Sequence, residues 1–386
     1  MLCGPGVTCR RRGLRLKVNG GRFGLLEEAR LIYPPYPNDT QCIQYYVDYD
    51  DKNKLIEDVF NTFKSPESCL CFKKVASKIE HEIGINFYKH KDEINALLSY
   101  GEKKPTDVYL KEDELTNLKK IAFGVGLAFG FIPEVERTDR DDNIEIDFEK
   151  IKVNYKKYYN EKIFTNTTTD FDFSSMMLYD FSFGATKKNE VVFKSKLYPH
   201  YENMRKNINY YISHNDKRRL NEIYCSGMCI GKPLCKNGGY YSDNYCNICT
   251  CPFGFKGRTC EELDNDTCKD ISKKDRYAEE DPGYLELSDV EGKCVFHLKS
   301  NNENGNIIID IKKIEFGGSG TPDKNRFIEI KYRDDKGTKG LTIYEDVSDI
   351  RLPSLSKEVY IITNDAEGKF DLDIEYHLNV TETGTL

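Results

Sequence analysis

The sequence predicts three regions in series: an α+β domain, a small disulfide-rich module and an all-β sandwich. Three observations carry this. Strand and helix periodicities alternate between residues 31 and 225. Seven of the 14 cysteines fall between Cys225 and Cys260. Between residues 266 and 382, short alternating or apolar stretches recur between Gly, Asn and Asp, with no helical pattern. The expected boundaries are 1–30 for an N-terminal segment, 31–225, 226–262 and 266–382.

Residues 1–30 are rich in Gly and Arg and are expected to be poorly ordered. Arg10-Arg11-Arg12 is followed by no apolar stretch of the secretory-signal kind, which points to a missing or mis-assigned start. Cys42 to Tyr49 is rich in β-branched and aromatic residues, hence a strand. Leu55, Ile56, Val59, Phe60 and Phe63 have helical spacing. Cys69–Val75 and Ile83–Tyr88 read as further strands, and Glu112–Phe131 as a helix that starts polar and becomes apolar. In the last region, strands are expected at 284–287, 294–298, 306–316, 327–332, 341–345, 359–363 and 370–378.

Composition excludes several classes. Of 386 residues, 39% are hydrophobic and 31% charged, enough apolar material for a core. The formal net charge of −7 argues against a nucleic-acid partner. The longest apolar run, Ile121–Ile132, falls short of the ~20 residues of a membrane-spanning helix. The cysteine density implies an oxidising compartment, where disulfides replace a hydrophobic core. A zinc cluster through Cys246, Cys249 and Cys251 is the alternative. It lacks two separate CxxC pairs, and the run contains no histidine. Sequons at Asn38, Asn166, Asn265 and Asn379 are candidate glycosylation sites.

The segment from Phe123 to Asp141 resembles the astacin family of zinc metalloendopeptidases, whose pattern is HExxHxxGxxHExxRxDRD with a later SxMHY turn. Gly130, Glu134, Arg137, Asp139, Arg140 and Asp141 are in register. Ser175-Met176-Met177-Leu178-Tyr179 resembles the methionine turn, and Phe171-Asp172-Phe173-Ser174 precedes it as in the family. Ile43-Gln44-Tyr45, Cys69-Leu70-Cys71-Phe72 and Leu220-Asn221-Glu222-Ile223-Tyr224-Cys225 resemble further anchors, so the likeness extends over the whole first region. It implies a metzincin-like fold. Cys229, Cys235, Cys246, Cys249, Cys251 and Cys260 resemble an EGF-like module, and residues 266–382 a CUB-like sandwich.

The resemblance implies a cleft but not its chemistry. The three zinc-ligand positions hold Phe123, Leu127 and Pro133, the general-base position Gly124 and the turn histidine position Leu178. None of these side chains offers a lone pair to a metal or accepts a proton, whereas such a protease needs three ligands and a base to deprotonate zinc-bound water. The remaining family-equivalent cleft positions are Glu134, Met177 and Tyr179. Glu134 meets the trimmed N-terminus in the family and is equally suited here to pair with Arg137. The six histidines form no HxxxH or HxH pair, and His81-Glu82-Ile83-Gly84-Ile85 only begins like HExxH. Apolar replacements along Phe123, Leu127, Phe129 and Phe131 suggest a filled cleft floor.

The expectation is therefore a secreted, inactive metalloprotease relative with no catalytic residue, no metal ligand and no cofactor. Extracellular proteins are its expected partners through the EGF-like and CUB-like modules. The alternative is an active zinc metalloendopeptidase that recruits unusual ligands, with Tyr179 among them. The resemblance implies the pairs Cys69–Cys225, Cys229–Cys246, Cys235–Cys249 and Cys251–Cys260. Cys42 with Cys71 is expected from neighbouring strands, Cys268 and Cys294 go with the sandwich, and Cys3 and Cys9 have no assigned role. Arg326 occupies a position where calcium-binding CUB domains carry aspartate, so calcium is not implied.

Overall fold

The computed structural model describes residues 33–37, 42–49, 54–63, 69–101, 103–160, 169–198, 201, 204, 211–225, 227–242, 245–268, 275–302, 305–317, 325–364 and 369–379. The segment 1–30 with Cys3 and Cys9, and the sequons at Asn38 and Asn166, lie outside these residues.

Strand β1 (Ile43–Val47) buries Ile43, Tyr45 and Val47 on one face, the period-two pattern of a strand with one covered side. Helix α1 (Leu55–Phe63) buries Ile56, Val59, Phe60 and Phe63. The sheet is completed by β2 (Phe72–Lys74), β3 (Ile85–His90), β4 (Asn95–Leu97) and β5 (Thr106–Lys111), in the order β2-β1-β3-β5-β4. Its pairs are parallel except for β4–β5. The Phe60 ring stacks on Phe72 at 4.4 Å and lies 4.7 Å from Tyr45, which fastens α1 to the sheet. His81 sits in the exposed turn before β3, so the HExxH-like start is no helix.

The helix expected over 112–131 is shorter. Glu112–Glu114 is a separate 3₁₀ turn, and α2 runs Leu118–Ala128. Asn117 caps it, its side chain accepting from Lys119 N at 3.1 Å and Lys120 N at 3.4 Å. The C-terminus closes at Gly130, whose φ of +77° is the left-handed conformation that favours glycine. Gly130 N donates to Leu127 O at 2.9 Å and Phe131 N to Gly126 O at 3.0 Å, a Schellman closure. Downstream, β6 (Ile144–Ile146) pairs with β7 (Phe193–Ser195). Helix α3 (His214–Tyr224) opens on a capping box in which Ser213 and Asp216 satisfy each other's backbone amides.

Among the described residues there are six disulfides: Cys42–Cys71, Cys69–Cys225, Cys229–Cys246, Cys235–Cys249, Cys251–Cys260 and Cys268–Cys294. Cys42 and Cys71 flank the paired strands β1 and β2, and Cys69–Cys225 ties the sheet to the end of α3. The cysteine-rich region holds little regular structure, a two-stranded sheet of β8 (Phe255–Lys256) and β9 (Glu262–Leu263). His214 seats this region on α3: its Nε2 donates to Gly238 O at 2.8 Å and its ring lies 5.3 Å from Tyr240.

Burial first, with nearby Lys331 and Arg218 adding, lowers the His214 pKa to about 4. The folded state therefore binds fewer protons than the unfolded chain between about pH 6.5 and 4, so stability falls as pH drops through that window. Replacing His214 by Gln keeps an N–H donor and removes the titration. His214→Gln is expected to flatten the acid side of the stability profile in that window, measured by urea denaturation at stepped pH.

The C-terminal region is two sheets. One has the order β10 (Arg276–Ala278), β12 (Val295–Ser300), β17 (Glu358–Asn364), β14 (Phe327–Lys331), β15 (Leu341–Ile343). The other has the order β11 (Gly283–Glu291), β18 (Lys369–Asn379), β13 (Asn306–Gly317), β16 (Val347–Leu352). β10 and β16 were not expected from the sequence, since their apolar alternation is weak. Ile307, Ile309, Ile311, Leu372, Ile374, Leu298, Ile328 and Ile361 share one buried core between the sheets. On its other face, the first sheet buries Val295, Tyr360 and Ile362 against Phe255, Cys249 and Cys260. Covering both faces explains why β12 and β17 read as apolar runs rather than alternations.

Candidate functional site

A cavity of about 670 Å³ opens beside α2. Phe123, Tyr179, Tyr158, Phe183, Lys120 and Asp180 are among its walls. α2 supplies Phe123 and Lys120, and the turn Ser175–Tyr179 supplies the opposite wall. Phe123 and Tyr179 rings are 5.0 Å apart, and Tyr179 stacks on Phe183 at 4.1 Å. Tyr179 donates to Glu136 Oε1 at 3.5 Å, and burial followed by Glu136 drives its pKa well above the ordinary phenol value. At the rim, Tyr158 donates to Glu93, and Lys157 lies 3.4 Å from the same carboxylate. Burial and that carboxylate raise Tyr158 to about 12. Lys120 pairs with Asp180 at 2.9 Å.

The helix meets the turn closely. A Cβ added to Gly126 would fall inside the contact distance of Met177 Sδ, and Glu134 N donates to Met177 O at 3.0 Å. Leu127 is partly buried, and Pro133 begins the turn that carries Glu134. A Cβ at Gly124 would collide with Leu110 Cδ2 on β5. Gly124→Ala is expected to destabilise the fold by about 1–3 kcal/mol through overpacking. Less the ~1 kcal/mol of helix propensity alanine brings, a net loss of up to about 2 kcal/mol remains. The shift in urea midpoint checks the sign.

Glu134 is fully buried and does not face the cavity. It pairs with the Arg219 guanidinium, lies 3.7 Å from Arg137 Nη1 and accepts from Asp172 N at 3.1 Å. Arg219 also donates from Nε to Thr169 Oγ1 at 2.6 Å. Beside it, Asp216 accepts from Ser175 Oγ at 2.6 Å, Met176 N at 2.8 Å and Ser213 N at 2.8 Å. Burial, then the neighbouring Asp172, pushes Asp216 up to about 6. This ionic core holds the turn from behind. Arg219 was missed from sequence. Its signal was a charged residue on the α3 face that also buries Asn215, Asp216, Leu220 and Tyr224 at helical spacing.

The residues at the cavity do not fit a zinc ion. Of the positions singled out from the sequence, Phe123, Leu178 and Tyr179 line it and Gly124, Leu127, Pro133 and Met177 do not. Phe123 carries no lone-pair donor, and neither His nor Cys lines the cavity among the described residues. Of the carboxylates that line it, Asp92, Glu93, Glu114 and Asp180, Glu93 is engaged by Tyr158 and Asp180 by Lys120, and among the described residues no three converge as a metal-binding group there. Asn265 is half-buried and Asn379 exposed at the end of β18.

Residues 36–225 match the family model described as Astacin, a family of peptidases. The chain is 32% identical over 165 residues to the zinc metalloproteinase dpy-31 of Brugia malayi, a match covering 39% of this chain and 25% of that protein. It is 22% identical over 309 residues to the zinc metalloproteinase nas-37 of Caenorhabditis elegans, covering 79% of this chain and 38% of that one. Among solved structures, the hatching enzyme zinc-protease HCE-1 of Oryzias latipes aligns with a TM-score of 0.38 and 20% identity. That alignment covers 47% of this chain and 88% of the other. The chain thus spans about a quarter of the length of the first of these relatives.

Proposed function

Because residues 36–225 are an astacin-family metalloprotease domain, we propose that this domain is catalytically inactive and serves in binding other proteins outside the cell. One observation carries the reading: Phe123, Gly124, Leu127 and Pro133 stand at the family's ligand and base positions, and none of these side chains offers a metal or a proton an electron pair. Aromatic stacking of Phe123, Tyr179 and Phe183 supports it, since these rings pack with one another at the cavity. Glu134 supports it too, being committed to Arg219.

In this reading the domain ends near residue 225, an EGF-like module spans 226–262, and a CUB-like sandwich spans 266–382. The last two offer the binding surfaces. The six disulfides favour an oxidising, extracellular setting, with Asn265 and Asn379 as glycan acceptors. No helix among the described residues is long and apolar enough to cross a membrane.

The test is proteolysis. The purified chain, incubated with a denatured protein substrate and added Zn²⁺, is expected to produce no cleavage that a zinc chelator blocks. Chelator-sensitive cleavage that persists through repurification would defeat the proposal and favour unusual ligands.

A further inference from the structure

We propose that the outer face of the four-stranded sheet carries a divalent transition-metal site formed by Asp310, Glu375 and His377. Asp310 on β13 and Glu375 on β18 are direct cross-strand partners. His377 follows Glu375 by two residues, so strand alternation places both on the same face, opposite the buried Ile374, Tyr376 and Leu378. Asp310 shares that face, because its neighbours Ile309 and Ile311 point into the core. One donor atom from each residue lies within 4.8 Å of the others. Among the described residues this is the only group of three or more such side chains so arranged.

A second observation is independent of that clustering. His377 Nδ1 is buried and has no hydrogen-bond partner. A buried polar atom left unpaired is unfavourable. Coordination is one way for an imidazole nitrogen to gain a partner. One nitrogen and two carboxylate oxygens match Zn²⁺ and its first-row neighbours, whereas Ca²⁺ and Mg²⁺ favour all-oxygen shells. Tetrahedral donors at Zn²⁺ bond lengths stand about 3.3 Å apart, so the trio need only close by side-chain rotation on a rigid paired backbone. Water completes the shell on the exposed side.

Two cations compete for the same oxygens. Lys312 Nζ is 3.2 Å from Glu375 Oε2, and Arg351 Nη1 is 3.3 Å from Asp310 Oδ2. Lys312 and Arg351 are 45% and 62% exposed and their carboxylate partners 19% and 13%, so the two cations can turn into solvent while the oxygens stay in place. They are therefore displaceable, and they provide a test that misfolding cannot imitate.

Full-length chain, stripped with chelator and dialysed, is titrated with Zn²⁺ by calorimetry and with Co²⁺ by visible absorption. About one equivalent is expected to bind. His377→Ala and Glu375→Gln are expected to weaken binding by more than the roughly 10–100-fold that a merely supporting contact costs. The pair Lys312→Met with Arg351→Met is expected to tighten it. The proposal is overturned if binding is absent, if it is unchanged in His377→Ala, or if Ca²⁺ binds the unaltered chain more tightly than Zn²⁺. The site shares no residue with the cavity at α2. Its failure would leave the proteolysis result untouched, and the reverse also holds.

Discussion

Arg219→Met is expected to destabilise the protein by about 3–5 kcal/mol, because it removes the main cation from a buried cluster of acids. Glu134 and Asp216 are fully buried, and Asp172 lies with them. Burial raises Asp172 as well as Asp216, and Arg219 is among the charges opposing that rise for Asp216. Methionine fills much of the same volume, so the loss reports charge rather than a cavity. Arg137 remains 3.7 Å from Glu134 and softens the effect without replacing the pairing.

The pH dependence gives the signature. A buried carboxyl whose folded pKa lies above its unfolded value favours the fold when protonated, and that stabilisation is lost as pH rises through the folded pKa. Asp216, at about 6, already contributes this slope, and removing Arg219 enlarges it. The deficit should therefore be greater at pH 8 than at pH 5 in urea denaturation. An equal deficit at both pH values would show that the carboxylates are not what Arg219 compensates.

Asp335→Ala is the second large effect, at about 3 kcal/mol, for a half-buried charge-paired group whose several partners are then left unmatched. Asp335 sits in the loop after β14 and reaches into the first region of the same compact unit. Its carboxylate accepts from Asn215 Nδ2 at 3.0 Å, Arg218 Nη1 at 3.1 Å, Asp170 N at 3.2 Å and its own loop's Gly337 N at 3.0 Å. Burial alone would raise its pKa, but Arg218 and these donors outweigh it and hold it below the ordinary value. Arg333, two residues earlier, donates to Phe171 O at 2.6 Å and to Asn143 Oδ1 at 3.2 Å. The sandwich thus grips α3 and the chain leading into the methionine-containing turn. Losing Asp335 should split a single calorimetric unfolding transition into two. One undivided transition with an unshifted midpoint would mean that the loop rests on the first region without holding it.

The local order was legible where one physical cause dominated. β-Branched and aromatic alternation marks β1, and helical spacing of Ile56, Val59, Phe60 and Phe63 marks α1. The ends of α2 were less legible, because apolar periodicity continues past them. Asn117 and Gly130 end the helix through hydrogen bonds that periodicity does not register. At the candidate site, the residue types at Phe123, Gly124, Leu127 and Pro133 were readable from the motif register alone. The cavity of about 670 Å³ beside Phe123 was not, since its walls come from separate stretches of chain. Neither was the ionic core, whose members Glu134, Asp172, Arg219 and Asp216 come from separate stretches of chain.

The amino-acid sequence by itself determined the family relationship of the first region, the covalent density of the second and the residue types at Phe123, Gly124, Leu127 and Pro133. These are properties of residue type and spacing, and they survive without coordinates. Only the tertiary structure decided that Glu134 pairs with Arg219 and that the Asp335 loop binds α3. It alone also brought Asp310 to Glu375 and His377. Each of these joins residues distant in sequence, and their separation in space is set by packing and strand register, which no local pattern encodes.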